Sequence, residues 1–186
     1  MLKLLPNALT SLRLLLAIPL GLAILRQDYA LALVIGLFAG ITDALDGFLA
    51  RRLDALSQFG AALDPVADKT LITASFLCFA MVDLIPWYLA FVVIGRDIVI
   101  VSGALAYVLL FGRFEFSATR LSKGNMLMQI VFCMLLLVAQ VFPVIPPGVL
   151  TFATVLIIAF ALASGFDYVV TWTIKALNAK KRQRRP

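Results

Sequence analysis

The sequence predicts an all-α integral membrane protein with six transmembrane helices and both chain ends in the cytoplasm. Apolar content is the first reason. Of the 186 residues 63% are hydrophobic and mean hydropathy is +1.05, whereas a soluble domain is nearer half apolar. The second reason is that apolar runs of spanning length recur between short polar connections; six helices of about 20 residues would fill about two thirds of the chain. The third is the placement of basic residues. With the N-terminus inside, Lys3, Arg13, Arg51, Arg52, Arg113, Arg120, Lys123 and the C-terminal run fall on the inner side, and the outer turns hold only Arg26. That is the asymmetry of the positive-inside rule. One domain over residues 1–186 is expected, with a basic cytoplasmic tail over about 178–186.

The first helix is expected at Ala8–Leu25. Ala30-Leu31-Ala32 has the form of a signal-peptide cleavage site, but the charged Arg26-Gln27-Asp28 just before it favours a retained membrane helix. Asn7, Thr10 and Arg13 stand at its start, suited either to capping and anchoring or to a site at that end. The second helix is expected at Ala30–Arg52, with Gly36, Gly40, Asp43, Gly47 and Ala50 on one stripe that another helix can approach closely. The third is expected at Ala61–Val82. Asp64-Pro65 reads as an N-cap followed by proline at the first helical position; a helix that began earlier would be kinked there.

The fourth helix, Pro86–Phe111, carries Arg96-Asp97 well inside an apolar run, which implies an internal ion pair or a water-filled cavity. Residues Gly112–Lys123 make a polar connection. The fifth helix is expected at Leu121–Phe142, and the sixth, containing Asp167, at Val149–Leu177. Cys78 and Cys133 lie in apolar runs and read as packing residues. The net charge is +6, mostly from the tail, which suits anionic lipid better than nucleic acid.

The chemistry concentrates between Asp43 and Asp68. Asp43 and Asp46 are spaced i, i+3; Asp64 and Asp68 are spaced i, i+4; on helices each pair shares a face. The short connection from Arg52 to Phe59 would make the two helices antiparallel neighbours and let four carboxylates converge. Such a cluster repels itself unless it is protonated, paired with bases or bound to cations. Two divalent ions would cancel its charge, and all-oxygen ligation favours Mg²⁺, Mn²⁺ or Ca²⁺ over zinc. A pair of such ions is the usual apparatus of phosphoryl transfer. The chain has no histidine, so any general base is Asp, Glu, Lys, Tyr or Cys.

The pattern D-x2-D-G-x2-A-R-x8-G-x3-D-x3-D, here Asp43, Asp46, Gly47, Ala50, Arg51, Gly60, Asp64 and Asp68, resembles the signature of the CDP-alcohol phosphotransferases at every fixed position. The resemblance covers most of the chain. It implies transfer of a phosphatidyl group from CDP-diacylglycerol to an acceptor hydroxyl, with CMP leaving. It also implies two Mg²⁺ or Mn²⁺ ions on Asp43, Asp46, Asp64 and Asp68, with Asp68 as general base. Gly47, Ala50, Arg51 and Gly60 would contact the CDP group, and the assembly would be a homodimer. A bacterial cytoplasmic membrane, with the site facing the cytoplasm, is the expected setting.

The acceptor is read from fewer positions. Ser122-Lys123-Gly124-Asn125 resembles the cardiolipin synthases of this family, whose acceptor is phosphatidylglycerol. The phosphatidylglycerophosphate synthases, which use glycerol 3-phosphate, usually carry Lys-Xaa-Lys at that place and a second arginine where this chain has Ala104. Two fewer cations suit a diester phosphate. Arg96, Arg120, Lys123 and Asn125 are the expected acceptor-binding residues. An intramembrane prenyltransferase lacks this Ala-Arg and Gly spacing, and a small cation transporter would carry its acids near mid-membrane on several helices.

Overall fold

A computed structural model of the chain describes the backbone of residues 5–53, 58–111, 120–142 and 144–183. It describes side chains for residues 12, 14–42, 69–103, 121–142 and 144–174. The described chain is all-helical: α1 (Leu5–Leu25), α2 (Tyr29–Leu53), α3 (Gln58–Met81), α4 (Trp87–Phe111), α5 (Arg120–Val141) and α6 (Pro147–Gln183). Each matches an apolar run of the sequence, and the ends are set by local chemistry. After α1, Gln27 turns into the left-handed region at φ 58°. The Asp28 N–H then bonds the Ala23 carbonyl at 2.9 Å, and the Gln27 N–H bonds that of Ile24 at 2.9 Å. This is a Schellman stop. Asp28 next caps α2, its Oδ1 accepting from the Leu31 N–H at 3.1 Å. The end of α3 repeats the device: Asp83 takes φ 57° and the Leu84 N–H reaches the Phe79 carbonyl at 2.9 Å.

These tight turns make α1–α2 and α3–α4 antiparallel, so odd and even helices run in opposite directions. α1 packs on α2 and α3; α2 also meets α5; α3 meets α4 and α5; α6 covers α4 and α5. The centre is aromatic and aliphatic. Phe76 and Phe132 stack at 5.8 Å between α3 and α5, with Phe79, Ile24, Leu89, Val93 and Ile157 fully buried around them. At Gly21 an added Cβ would lie 3.3 Å from Cys78 Sγ, so this glycine sets the close approach of α1 to α3. Both cysteines are free.

Polarity is arranged inside out. Every helix exposes large apolar side chains, among them Leu15, Val34, Met81, Phe91, Leu127 and Phe166. Thr42, Ser75, Arg96, Asp97, Asn125, Gln129 and Ser164 are buried. An apolar exterior on every element is the mark of lipid as solvent. Among the described residues, Leu121–Val141 and Pro147–Ile174 are long and apolar enough to cross a membrane.

Two expectations are corrected. Asp64 is not an N-cap: α3 begins at Gln58, so Pro65 lies within the helix, where its missing N–H removes one backbone bond. α6 does not stop at Leu177 but continues to Gln183. Its 37 residues span about 55 Å at 1.5 Å per residue, well beyond the hydrocarbon core, so the basic tail leaves as a helix. The expected pairing of α2 with α3 falls on residues 43–68, whose side chains lie outside the described ones; among the described contacts α1 and α5 each touch both helices.

Candidate active site

Arg96 and Asp97 sit near the middle of α4, 9% and 7% exposed. Charges at such depth persist only when paired and hydrogen-bonded. Arg96 Nη1 donates to Asp97 Oδ1 at 2.6 Å. Its Nη2 donates to Ser122 Oγ on α5 at 2.9 Å and to Ser164 Oγ on α6. From α3, Lys69 Nζ lies 3.3 Å from the same Asp97 oxygen. One guanidinium and one carboxylate therefore tie four helices together.

Among the described residues the network is short of acceptors: Lys69 Nζ is within ion-pair distance of Asp97 but makes no aligned hydrogen bond, and the buried Arg96 Nε and Gln129 Nε2 have no partner there. These groups surround a cavity of about 140 Å³ lined by Lys69, Arg96, Asp97, Ser122, Lys123 and Gln129, with Ile72 and Met126 as its apolar wall. Among the described residues three cations face one carboxylate, and the unused donors converge. Such a site takes an anion with several acceptor oxygens, and a phosphate group is the apt chemistry.

Next to it lies an apolar cavity of about 60 Å³. Gly36, Ala39 and Gly40 of α2 form one wall and Leu71, Ile72, Ser75 and Phe79 of α3 the other; Leu20 of α1 and Met126, Ile130, Cys133, Met134 and Leu137 of α5 complete it. Ile72 and Met126 belong to both cavities.

Of the acceptor residues expected from sequence, Arg96 and Lys123 line one cavity together. Asn125 is fully buried and is not part of that lining, and among the described residues neither its Nδ2 nor its Oδ1 has a partner. The side chain of Arg120 lies outside the described residues, as do those of Asp43, Asp46, Gly47, Ala50, Arg51, Gly60, Asp64 and Asp68. Their backbone positions fall on α2 and α3. Among the described residues no three His, Cys, Asp or Glu side chains group to hold a metal.

Sequence reasoning missed Gln129 and Ser164 as members of this region. Gln129 stands four residues after Asn125 in an apolar run, a spacing that signals one face. Ser164 sits in Ala163-Ser164-Gly165, which reads as a plain packing stripe and carries no signal of its own.

The model of the CDP-alcohol phosphatidyltransferases matches residues 3–173. The chain belongs to that family. It is 40% identical over 155 residues to a cardiolipin synthase (CMP-forming)/mitochondrial hydrolase fusion protein of Schizosaccharomyces pombe, covering 75% of this chain and 26% of that protein. It is 43% identical over 104 residues to the cardiolipin synthase (CMP-forming) of Rattus norvegicus, covering 55% and 34%. A CDP-diacylglycerol–glycerol-3-phosphate 3-phosphatidyltransferase of Aquifex aeolicus is 34% identical over 102 residues, covering 54% and 57%. The matches thus take in about a quarter to a third of the two cardiolipin synthases. Family membership and the apolar exterior together make this an all-α membrane protein.

Proposed function

We propose that the chain is a metal-dependent phosphatidyltransferase that joins CDP-diacylglycerol to phosphatidylglycerol, forming cardiolipin and releasing CMP. The observation that carries this reading is the donor-rich cavity of Lys69, Arg96 and Lys123, which begins one residue after Asp68 on α3. A phosphate held there brings a neighbouring acceptor hydroxyl toward the Asp motif. That hydroxyl oxygen attacks the phosphorus of the phosphatidyl group. The bond from that phosphorus to CMP breaks, and Asp68 takes the hydroxyl proton.

Asp43 and Asp46 on α2, with Asp64 and Asp68 on α3, are the proposed metal ligands. Both helices continue unbroken through these positions, so each pair keeps the helical spacing that puts it on one face. Hard carboxylate oxygens fit Mg²⁺ or Mn²⁺; bound there, the ions offset charge on the diphosphate. Gly47, Ala50, Arg51 and Gly60 are the proposed CDP contacts. Gly21 opposite Cys78 sets the register of α1 on α3.

One observation favours a second acceptor. The charge of the cavity's described lining, three cations against Asp97, also suits the dianionic phosphate of glycerol 3-phosphate, the substrate named for the Aquifex relative. The 155-residue match to the Schizosaccharomyces pombe protein, against 102 residues for the Aquifex one, and the apolar wall beside the cations favour the lipid. The proposed arrangement has six spans, one domain, both ends cytoplasmic and a homodimeric assembly.

The reaction class is tested by CMP release from CDP-diacylglycerol. Release should need Mg²⁺ or Mn²⁺ and stop on chelation. Asp68→Asn should abolish transfer while nucleotide binding survives in part. Activity of Asp68→Asn within a fewfold of wild type removes Asp68 as the base.

A further inference from the structure

We propose that the apolar groove between α2 and α3 holds an acyl chain of the acceptor phospholipid while its phosphate rests on Lys69, Arg96 and Lys123. This rests on the acceptor reading above.

Continuity is the first argument. Ile72 and Met126 line both cavities, so a molecule can pass from one to the other without crossing polar protein. The order of polarity along the helices is the second. Lys69 on α3 and Ser122 and Lys123 on α5 mark the polar end, and the groove runs from there past Ser75 and Phe79 on α3 and Ile130 and Cys133 on α5. A phospholipid whose head lies at the inner face runs the same way, from phosphate to hydrocarbon, toward the bilayer centre. The third argument is that the polar end is built for a ligand. Among the described residues, buried Arg96 Nε and Gln129 Nε2 lack partners, and Gln129, 2% exposed, belongs to the cavity lining. At the other end Ser75, the polar residue of the groove, already donates to the Leu71 carbonyl at 2.8 Å. It leaves the groove apolar.

Gly40 stands where α2 meets both the groove and the exterior. It is exposed, and an added Cβ there meets no atom within 4 Å. A chain can enter sideways from the bilayer at this point. A water-soluble phosphate monoester would fill the cationic cavity and make no use of the groove.

The test uses the purified full chain in mixed micelles with saturating CDP-diacylglycerol. Dioleoyl and dihexanoyl phosphatidylglycerol are the alternative acceptors. Gly40→Leu fills the mouth, and Gly40→Ala adds a single carbon. The ratio of kcat/KM for the dioleoyl over the dihexanoyl acceptor should fall about tenfold in Gly40→Leu, since displacing two methylenes from an apolar slot suffices for that. Gly40→Ala should fall between, and it carries the test if the leucine variant does not fold. An unchanged ratio overturns the inference. So does a rise in the KM of CDP-diacylglycerol that matches the acceptor's, which would give the groove to the donor's chain. Wild-type turnover of glycerol 3-phosphate, with neither phosphatidylglycerol used, overturns the acceptor reading and this inference together. Turnover of phosphatidylglycerol with the ratio unchanged removes the groove alone.

Discussion

Asp97 holds two cations at once, and its removal shows what they are for. Asp97→Asn leaves the buried Arg96 guanidinium without its counter-charge and Lys69 without its ion pair. Stability should fall by on the order of 3 kcal/mol, the usual cost of breaking a buried pair; thermal unfolding in detergent measures it. Arg96→Met with Asp97→Leu should recover much of that stability, because an apolar pair needs no partner, and yet bind acceptor poorly. Lys123 is exposed at the cavity and carries no such structural duty. Lys123→Ala should therefore raise the KM of the acceptor roughly tenfold, as loss of a charge-assisted contact does, and raise that of CDP-diacylglycerol far less. Equal changes in both would point to a structural role. Arg96 was legible as a problem in the sequence, because a charge inside an apolar run demands a partner. Its particular partners were not. Ser122 lies 26 residues away and Ser164 68, and no local pattern links a serine on one helix to an arginine on another.

The helices themselves were legible almost to their ends, since apolar length and flanking charge decide them with little help from tertiary contacts. The exceptions have physical causes. Pro65 looked like a start signal because proline is favoured at a first turn, but a membrane helix tolerates a proline when neighbours can satisfy the freed carbonyl. The end of α6 was placed at the membrane boundary, whereas Ala, Lys, Gln and Arg are good helix formers beyond it. Gln27 and Asp83 occupy a conformation that glycine adopts without steric cost. Gln27→Gly should leave the fold intact and stabilise the turn by about 0.5–1 kcal/mol, seen as a higher melting temperature. Asp28→Ala should destabilise by about 1 kcal/mol through the lost cap. A fall in melting temperature for Gln27→Gly would mean that the glutamine side chain has a role beyond the turn.

For the whole molecule, the four-helix polar junction and the Asp motif belong to one end of the bundle. Lys69 follows Asp68 directly, and Ile72, one helical turn beyond Asp68, already walls both cavities. On the proposed reading, donor chemistry and acceptor capture are neighbours on α3. If both ends are cytoplasmic, single cysteines placed in the Val82–Pro86 turn and in the tail should be labelled from opposite sides of a sealed vesicle. Labelling from one side contradicts six spans. The central claim is the acceptor, and the lipid product decides it. Purified chain, CDP-diacylglycerol and Mg²⁺ or Mn²⁺ are incubated with phosphatidylglycerol or with glycerol 3-phosphate, and the extracted lipid is identified by mass spectrometry. The account predicts cardiolipin from the first mixture and no new lipid from the second; phosphatidylglycerophosphate from the second, with no cardiolipin from the first, would contradict it.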